Sequence, residues 1–244
     1  MGESVSDGIA PDQTAPSDGS GVPVGLLTAL VVALLTLLGI GARYYVYGDF
    51  SAIHCVLSLF FSINLPICYW EACLFLRRDY IEKRTAYWRR RQVETGRRPV
   101  VEFLAGRVPL RQALSPTVWA DVWAVYSQFD GSYADRRTFG FNADTANGFV
   151  TPVPTLLLYA AYTVDFLPAV VAGIIGVMVF WQWIYVTSVY LVSFFVAKRQ
   201  GLITTGELYG YILAINSPWV LCALLGLFVS IRLILDGDYG VLGR

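Results

Sequence analysis

Five apolar segments, each of about 20 residues or more, constrain most strongly what this chain can fold into. A helix of that length can cross the hydrocarbon core of a bilayer, where every backbone polar group must be hydrogen-bonded within the protein. The sequence therefore predicts an all-α, polytopic membrane helix bundle with five transmembrane helices. The predicted spans cover approximately residues 22–42, 52–76, 141–164, 167–197 and 208–235.

The composition of the chain also indicates lipid rather than water as its surroundings. Charged residues make up 15% of the 244 residues, against about 25% in soluble domains. Residues 1–21 are rich in Gly, Ser, Asp and Pro and contain four acidic and no basic residues, so we predict a disordered N-terminal tail. A secretory signal would begin with basic residues. We therefore expect residues 22–244 to form a single membrane domain whose first span is retained.

The basic residues are concentrated in one stretch, although the net charge of the chain is zero. Thirteen of the eighteen Lys and Arg residues lie between Arg77 and Arg137. By the positive-inside rule, we expect the connection 77–140 and the N-terminus to be cytoplasmic, with Lys198 and Arg199 on the same side. A basic block beside apolar segments is typical of membrane topology and does not indicate nucleic-acid binding.

The connection 77–140 is long enough to contain structure of its own. Ser115 and Pro116 predict the start of a helix, because Ser is a common N-cap and Pro suits the first helical position. The aromatic and apolar residues that follow predict an interfacial helix at the lipid headgroups.

The cysteines give no sign of a metal site. All four lie within apolar segments and lack the spacing of metal ligands. The chain also contains no phosphate-binding glycine loop and no nucleophile elbow. We therefore predict no metal ion and no cofactor.

Few strongly polar side chains lie within the predicted spans, where such groups are costly unless they face protein or a cavity. At about 1.5 Å of rise per residue, most of them lie roughly 5–18 Å from the cytoplasmic helix ends, whereas His54 lies roughly 33 Å away. The residues near the cytoplasmic side are Glu71, Asp144, Asn147, Tyr185, Asn216 and Trp219. Two interpretations remain open: polar contacts between helices, or the lining of a lipid-accessible pocket.

Three short patterns follow one another along the second half of the chain. The first is Trp123-x-x-Tyr126-x-x-x-Asp130-x-x-Tyr133, with Asp144 eleven residues later. The others are Ile184-Tyr185 with Tyr190, and Asn216-Ser-Pro-Trp219. In this order the patterns resemble the EXPERA superfamily, which includes the emopamil-binding protein (a sterol Δ8–Δ7 isomerase) and the sigma-2 receptor. The resemblance covers about residues 120–235 well and 50–76 only loosely.

The resemblance implies an intramembrane pocket, open to the bilayer, for a sterol-like or isoprenoid lipid. Asp144 would be the pocket carboxylate that transfers a proton in a double-bond isomerase. Trp219 would offer its π-face to a cation. The other ligand-binding residues implied are Asn64, Asn147, Tyr185, Tyr190 and Asn216.

The second span departs from the pattern of the isomerase, which resembles H-x-x-x-E-x-W. One register aligns His54-x-x-x-Ser58-x-Phe60, and the other aligns Asn64-x-x-x-Cys68-x-Trp70. Neither contains both proton carriers. Glu71, at the depth of Asp144, is a candidate second catalytic carboxyl; pairing with Arg77 or Arg78 is the alternative.

Several functions therefore remain open. The first is an isomerase that acts on a sterol or another isoprenoid lipid. The second is a lipid-binding protein without turnover, such as a sensor, carrier or chaperone. The third is a structural subunit of a membrane complex. Membrane lipids and the ligand itself are the expected partners, and the sequence leaves open whether two copies associate as a homodimer.

Overall fold

A computed structural model of the chain describes residues 21–243, so residues 1–20 of the predicted tail lie outside the described part. Its secondary structure is almost entirely helical, apart from an antiparallel pair of two-residue strands, β1 (Val22–Pro23) and β2 (Arg107–Val108). The helices are α1 (Val24–Tyr47), α2 (Ala52–Leu76), α3 (Arg78–Thr95), α4 (Pro99–Ala105), α5 (Pro116–Tyr126), α6 (Phe139–Val150), α7 (Pro152–Val164), α8 (Ala169–Val196) and α9 (Thr205–Asp236). Short 3₁₀ turns lie at Leu110–Gln112, Gly131–Ala134, Arg199–Leu202 and Gly240–Leu242.

Four helices of the described chain, α1, α2, α8 and α9, are long and apolar enough to cross a membrane. This is compatible with a multi-pass integral membrane protein. The predicted span 141–164 is instead divided into α6 and the apolar α7, which meet at Thr151. Pro152 is the first residue of α7 and Pro154 follows it; neither has a backbone N–H, so the helical hydrogen bonds are interrupted here.

The long helices alternate in direction. At one end of the bundle, the start of α1 contacts the segment after α4 through a hydrogen bond from the Val24 amide to the Gly106 carbonyl (2.9 Å). At the other end, the Arg43 guanidinium near the end of α1 donates to the Leu242 carbonyl beyond α9 (2.8 Å) and to Asp49 (3.1 Å). Helices α3, α4 and α5 form a cap over the first end, which we call the cap end; the other is the distal end.

Helix α2 occupies the centre of the bundle and packs against α1, α5, α6, α7 and α9. Its Phe60 and Phe61 belong to the main apolar core, together with Phe180 and Trp183 of α8. Helices α8 and α9 pack along much of their length. Gly226 permits this close approach, because a Cβ atom at that position would lie 2.2 Å from the Phe180 ring.

The cap is held together by a buried ion pair. The Asp121 carboxylate of α5 accepts hydrogen bonds from Arg84 Nε (2.9 Å) and Trp88 Nε1 (3.1 Å), both on α3. Trp119 and Trp123 of α5 are also buried, and Trp119 stacks on Trp70 of α2 with a ring-centroid distance of 5.3 Å. The aromatic face of α5, predicted to lie at the headgroups, therefore packs against α2, and α3 and α4 also pack against α5.

Candidate functional site

A cavity of about 230 Å³ lies at the cap end of the bundle. Its walls come from α2, α5, α6, α8 and α9, and from the turn that contains Tyr133. Of the predicted site residues, it is lined by Glu71, Asp144, Asn147, Tyr190, Asn216 and Trp219. Residues that the sequence separates by up to about 150 positions therefore meet at one site.

Two carboxyl groups face this cavity from neighbouring helices. Glu71 of α2 is 8% exposed, and the Asp144 carboxylate of α6 is near enough to interact with it electrostatically. Gly148, one turn after Asp144, allows the two helices to touch: a Cβ atom there would lie 2.3 Å from the Ala72 backbone nitrogen. The alternative pairing of Glu71 is not observed in the described residues, since Arg77 donates to Thr117 (2.9 Å) and Arg78 to the Phe75 carbonyl.

Asn147 connects the acidic pair to α8. Its Oδ1 accepts a hydrogen bond from Gln182 Nε2 (3.0 Å), and its amide nitrogen lies close enough to the Glu71 carboxyl group to act as a donor to it. Because an amide has both a donor and an acceptor, Asn147 satisfies both neighbours at once. The orientation of Glu71 toward the cavity therefore depends on a chain of contacts through three helices.

Tyrosine hydroxyls form the other polar side of the cavity. The Tyr133 hydroxyl lies close enough to the Asp144 carboxylate to act as its hydrogen-bond donor. Tyr190 donates to the buried Asp130 carboxylate (3.0 Å), which also accepts from Arg199 (3.0 Å). Tyr126 lies within 3.3 Å of the Tyr190 hydroxyl and accepts from Asn216 Nδ2 (3.4 Å).

Tyr126 and Tyr133, the two tyrosines of the cavity that lie outside the long helices, remain protonated near neutral pH and can donate hydrogen bonds. Burial raises the pKa of Tyr126 to about 12. Burial, together with the negative charge of Asp144 nearby, raises the pKa of Tyr133 well above its usual value. A protonated Tyr133 can therefore donate a hydrogen bond to Asp144.

Asn64 supports the cavity wall without lining the cavity itself. Trp219 Nε1 donates to Asn64 Oδ1 (3.0 Å), and Asn64 Nδ2 donates to Thr155 on α7 (3.4 Å). Phe60 meets the Trp219 ring edge-to-face at a centroid distance of 6.1 Å. Asn64 thus orients Trp219, while Cys68, four residues later, contacts Thr151 (3.2 Å) at the interface with the α6–α7 junction.

Tyr185 and His54 lie away from the cavity. Tyr185 is 56% exposed and stacks on Trp181 along the outer face of α8, so the structure does not support a place for it in the pocket wall. Helical geometry explains this, because the cavity is lined by positions 183, 186, 187 and 190, which share the opposite face. His54 is buried near the distal end, where its Nε2 lies 3.2 Å from the Ser58 hydroxyl.

Several residues that line the cavity were not among the predicted site residues, although Trp70, Trp123 and Tyr126 belong to the patterns quoted from the sequence. Trp183 of α8 is buried beside Phe60 and Phe180, and Trp70 and Trp123 form an aromatic wall with Tyr126. The spacing of Trp183, Thr187 and Tyr190 was the available signal, because i, i+4 and i+7 positions share one helix face. Within residues 21–243, no group of three or more His, Cys, Asp and Glu side chains could hold a metal ion.

Comparison of the chain with protein-family models, curated proteins and solved structures found no match.

Proposed function

We propose that this chain is an integral membrane protein whose cavity binds a sterol-like or isoprenoid lipid and moves a ring double bond by proton transfer. The observation that carries the proposal is the pair Glu71 and Asp144, two carboxyl groups at one cavity with aromatic walls. Carboxyl groups used only as contacts between helices would not need an adjoining space for a ligand. The resemblance of the three sequence patterns to the EXPERA superfamily supports the same ligand class.

The two carboxyl groups have complementary roles in this proposal. Like charges at short range disfavour ionisation of both groups, so one carboxyl retains a proton that it can donate. It protonates one carbon of the double bond, and the other carbon becomes cationic. The second group, as a carboxylate, removes a proton from a carbon next to the cation, so the double bond moves by one position without an oxidant or reductant.

The aromatic walls suit the cationic intermediate. Trp183 and Trp219 border the cavity, and indole rings attract cations through their π-faces. Asn64 restrains the Trp219 ring through the 3.0 Å hydrogen bond. We therefore assign Trp219 to cation stabilisation and Asn64 to its positioning.

The membrane topology belongs to the same proposal. We propose five spans, with α6 and α7 together forming the third, and with the N-terminus and the cap cytoplasmic. The charge distribution supports this orientation, because the cap and the segment at Lys198 and Arg199 carry most of the basic residues. The alternation of helix directions brings both basic regions to the same end.

Lipid binding without turnover is the second candidate. It is favoured by the positions Asn64 and Cys68, which align with the proton carriers of the isomerase pattern but contact Thr155 and Thr151 at helix interfaces. In that case Glu71 and Asp144 would bind a polar or amine group of the ligand. No similar observation favours a purely structural role.

One experiment tests the proposal in two stages. The protein is purified in mild detergent, and co-purifying lipids are identified by mass spectrometry for the wild type, Asp144→Asn and the control Asp135→Asn, whose carboxylate is paired with Arg137 on the surface. We expect a sterol or isoprenoid lipid to be enriched over bulk phospholipid in the wild type and the control, and to be depleted in Asp144→Asn. Absence of enrichment in the wild type would contradict the proposal.

The second stage separates turnover from binding. The wild type, Asp144→Asn, Glu71→Gln and the control Asp135→Asn are incubated with the enriched lipid in deuterated water. Incorporation of deuterium into the lipid, lost in Asp144→Asn and Glu71→Gln, would support the isomerase. Binding without incorporation would support the second candidate.

A further inference from the structure

A second cavity of about 170 Å³ adjoins the first one. It lies between the start of α1, the cap helices α4 and α5, and the first turns of α9. Four residues line both cavities and form the boundary between them, namely Trp70, Val122, Tyr126 and Ile215. The two spaces therefore share a wall formed by these four residues.

The chemistry of the second cavity differs from that of the first. None of the described side chains that line it is charged, and most are aliphatic or aromatic, including Val24, Phe103 and Val125. Thr28 of α1 is one of the few polar residues in its wall. Leu104 and Ile215 at its edge are 43% and 46% exposed, which leaves the cavity accessible from the surroundings of the bundle.

The two volumes together indicate how a ligand would be accommodated. Ligand sites usually have volumes of roughly 300–1,000 Å³. Neither cavity alone reaches this range, whereas the two combined do. A ligand that occupied both would place a polar or reactive part beside Glu71 and Asp144, and a hydrocarbon part where no polar partner is available.

We propose that the second cavity holds the flexible hydrocarbon chain of the lipid whose polar or reactive part lies in the first cavity. This inference rests on the proposed function and adds a determinant of specificity to it. The protein would select lipids that have a flexible hydrocarbon chain, because residues of α1, α4 and α5 contact that chain. The ligand passes Trp70 and Tyr126, whose side chains border both cavities.

The test uses two tritiated sterols with the same rings, cholesterol and an androstene-3β-ol that lacks the side chain. Their affinities are measured by scintillation proximity on detergent-purified full-length protein. Val100 lines the second cavity but not the first, so Val100→Trp should fill the second cavity only. Val101, the next residue of α4, is 60% exposed, and Val101→Trp is therefore the control. Thr28→Phe with the control Leu30→Phe repeats the design on α1, where Leu30 is 55% exposed.

We expect the wild type and both controls to bind cholesterol several-fold more tightly than the truncated sterol. Detergent already keeps the free side chain out of water, so this preference reflects the packing of the side chain against the walls of the second cavity. Val100→Trp and Thr28→Phe should bind the two sterols equally, because the truncated sterol does not use the filled space. Equal loss of both sterols, or retention of the preference for cholesterol, would overturn the inference and leave the proposed function intact. Failure of the wild type to bind either sterol would overturn the inference and also exclude sterols as the ligand in the proposed function.

A second measurement needs no variant, so it decides the matter if the filled variants do not fold. The wild type is irradiated with a photoreactive sterol that carries a diazirine at the end of its side chain. We expect labelling of residues 24–28 or 100–104 that an excess of unlabelled cholesterol suppresses. Labelling that excess cholesterol suppresses elsewhere in the chain would contradict the proposed position of the hydrocarbon chain.

Discussion

The neighbouring carboxyl groups of Glu71 and Asp144 are an unfavourable arrangement for stability. A charged residue within a membrane costs about 2.5–3.5 kcal/mol on insertion scales, and two like charges repel each other. Asn147 and Tyr133 lie close enough to act as hydrogen-bond donors to the two groups, and such bonds would offset part of this cost. Polar residues that destabilise the fold, and whose presence is therefore not explained by stability, are typical of functional sites.

Replacement of Asp144 tests this view of the residue pair. We expect Asp144→Asn to stabilise the protein by about 0.5–2 kcal/mol, because it removes one of two repelling carboxyl groups while lipid binding is lost. The measurement is the apparent melting temperature in detergent without added lipid. Asp135→Asn is the control and should leave that temperature unchanged. A lower melting temperature for Asp144→Asn would mean that its charge stabilises the fold.

At the scale of helices, the site depends on close contact between α2 and α6. Helix association in a membrane relies on van der Waals packing and is favoured by small residues. Gly148 provides such a contact at Glu71 and Ala72, and Asp144 is one turn away on the same helix. The separation of α6 from α2 therefore sets the distance between the two carboxyl groups.

In α9, the π-helical turn Leu208–Leu213 precedes Ile215 and Asn216, and such turns often occur at functional sites.

Gly148→Ala should displace α6 from α2. Because the added methyl group would meet backbone atoms of α2, which cannot rotate away, we expect both a lower melting temperature and weaker lipid binding. Gly41→Ala is the matched control, since Gly41 is also helical but has nothing within 4 Å of an added Cβ atom. Ala favours helix over Gly by roughly 0.5–1 kcal/mol, so the control should be neutral or slightly more stable. Equal behaviour of the two variants would argue against the close contact.

At the scale of the whole molecule, the α6–α7 pair decides how many times the chain crosses the membrane. Four helices have sufficient length, and α7 alone does not. If α6 and α7 cross together, the cap and the turn at Phe166 lie on opposite sides. Because α8 crosses the membrane in the opposite direction, the basic segment at Lys198 then lies on the same side of the membrane as the cap.

Labelling of single cysteines distinguishes these arrangements. The four native cysteines are replaced, and Arg97→Cys, Phe166→Cys and Lys198→Cys are introduced separately at exposed positions. In sealed vesicles with the cytoplasmic face outward, we expect a membrane-impermeant maleimide to label the Arg97→Cys and Lys198→Cys proteins but not the Phe166→Cys protein. After permeabilisation, all three should react. Labelling of Arg97→Cys and Phe166→Cys on the same side would show that α6 and α7 do not cross.

The candidate site was partly predictable because its polar residues are rare against an apolar background. Glu71, Asp144, Asn147, Asn216 and Trp219 were selected by type and by depth along each helix, and the structure brings them to one cavity. Their chemical roles remain predictions. Tyr185 was selected by the same criteria and faces outward, because depth along a helix does not specify the direction in which a side chain points.

The sequence by itself determined that the chain is helical and apolar, since long segments without charge can satisfy their backbone only as helices when lipid surrounds them. It also identified a small set of polar groups within the apolar segments as candidates for a site, and their roles stay predictions. Only the tertiary structure decided that Glu71 lies beside Asp144 rather than an arginine, that Asn64 supports Trp219, and that a second cavity lies under the cap. These features arise from packing between helices distant in sequence, and periodicity within one segment carries no information about its neighbours.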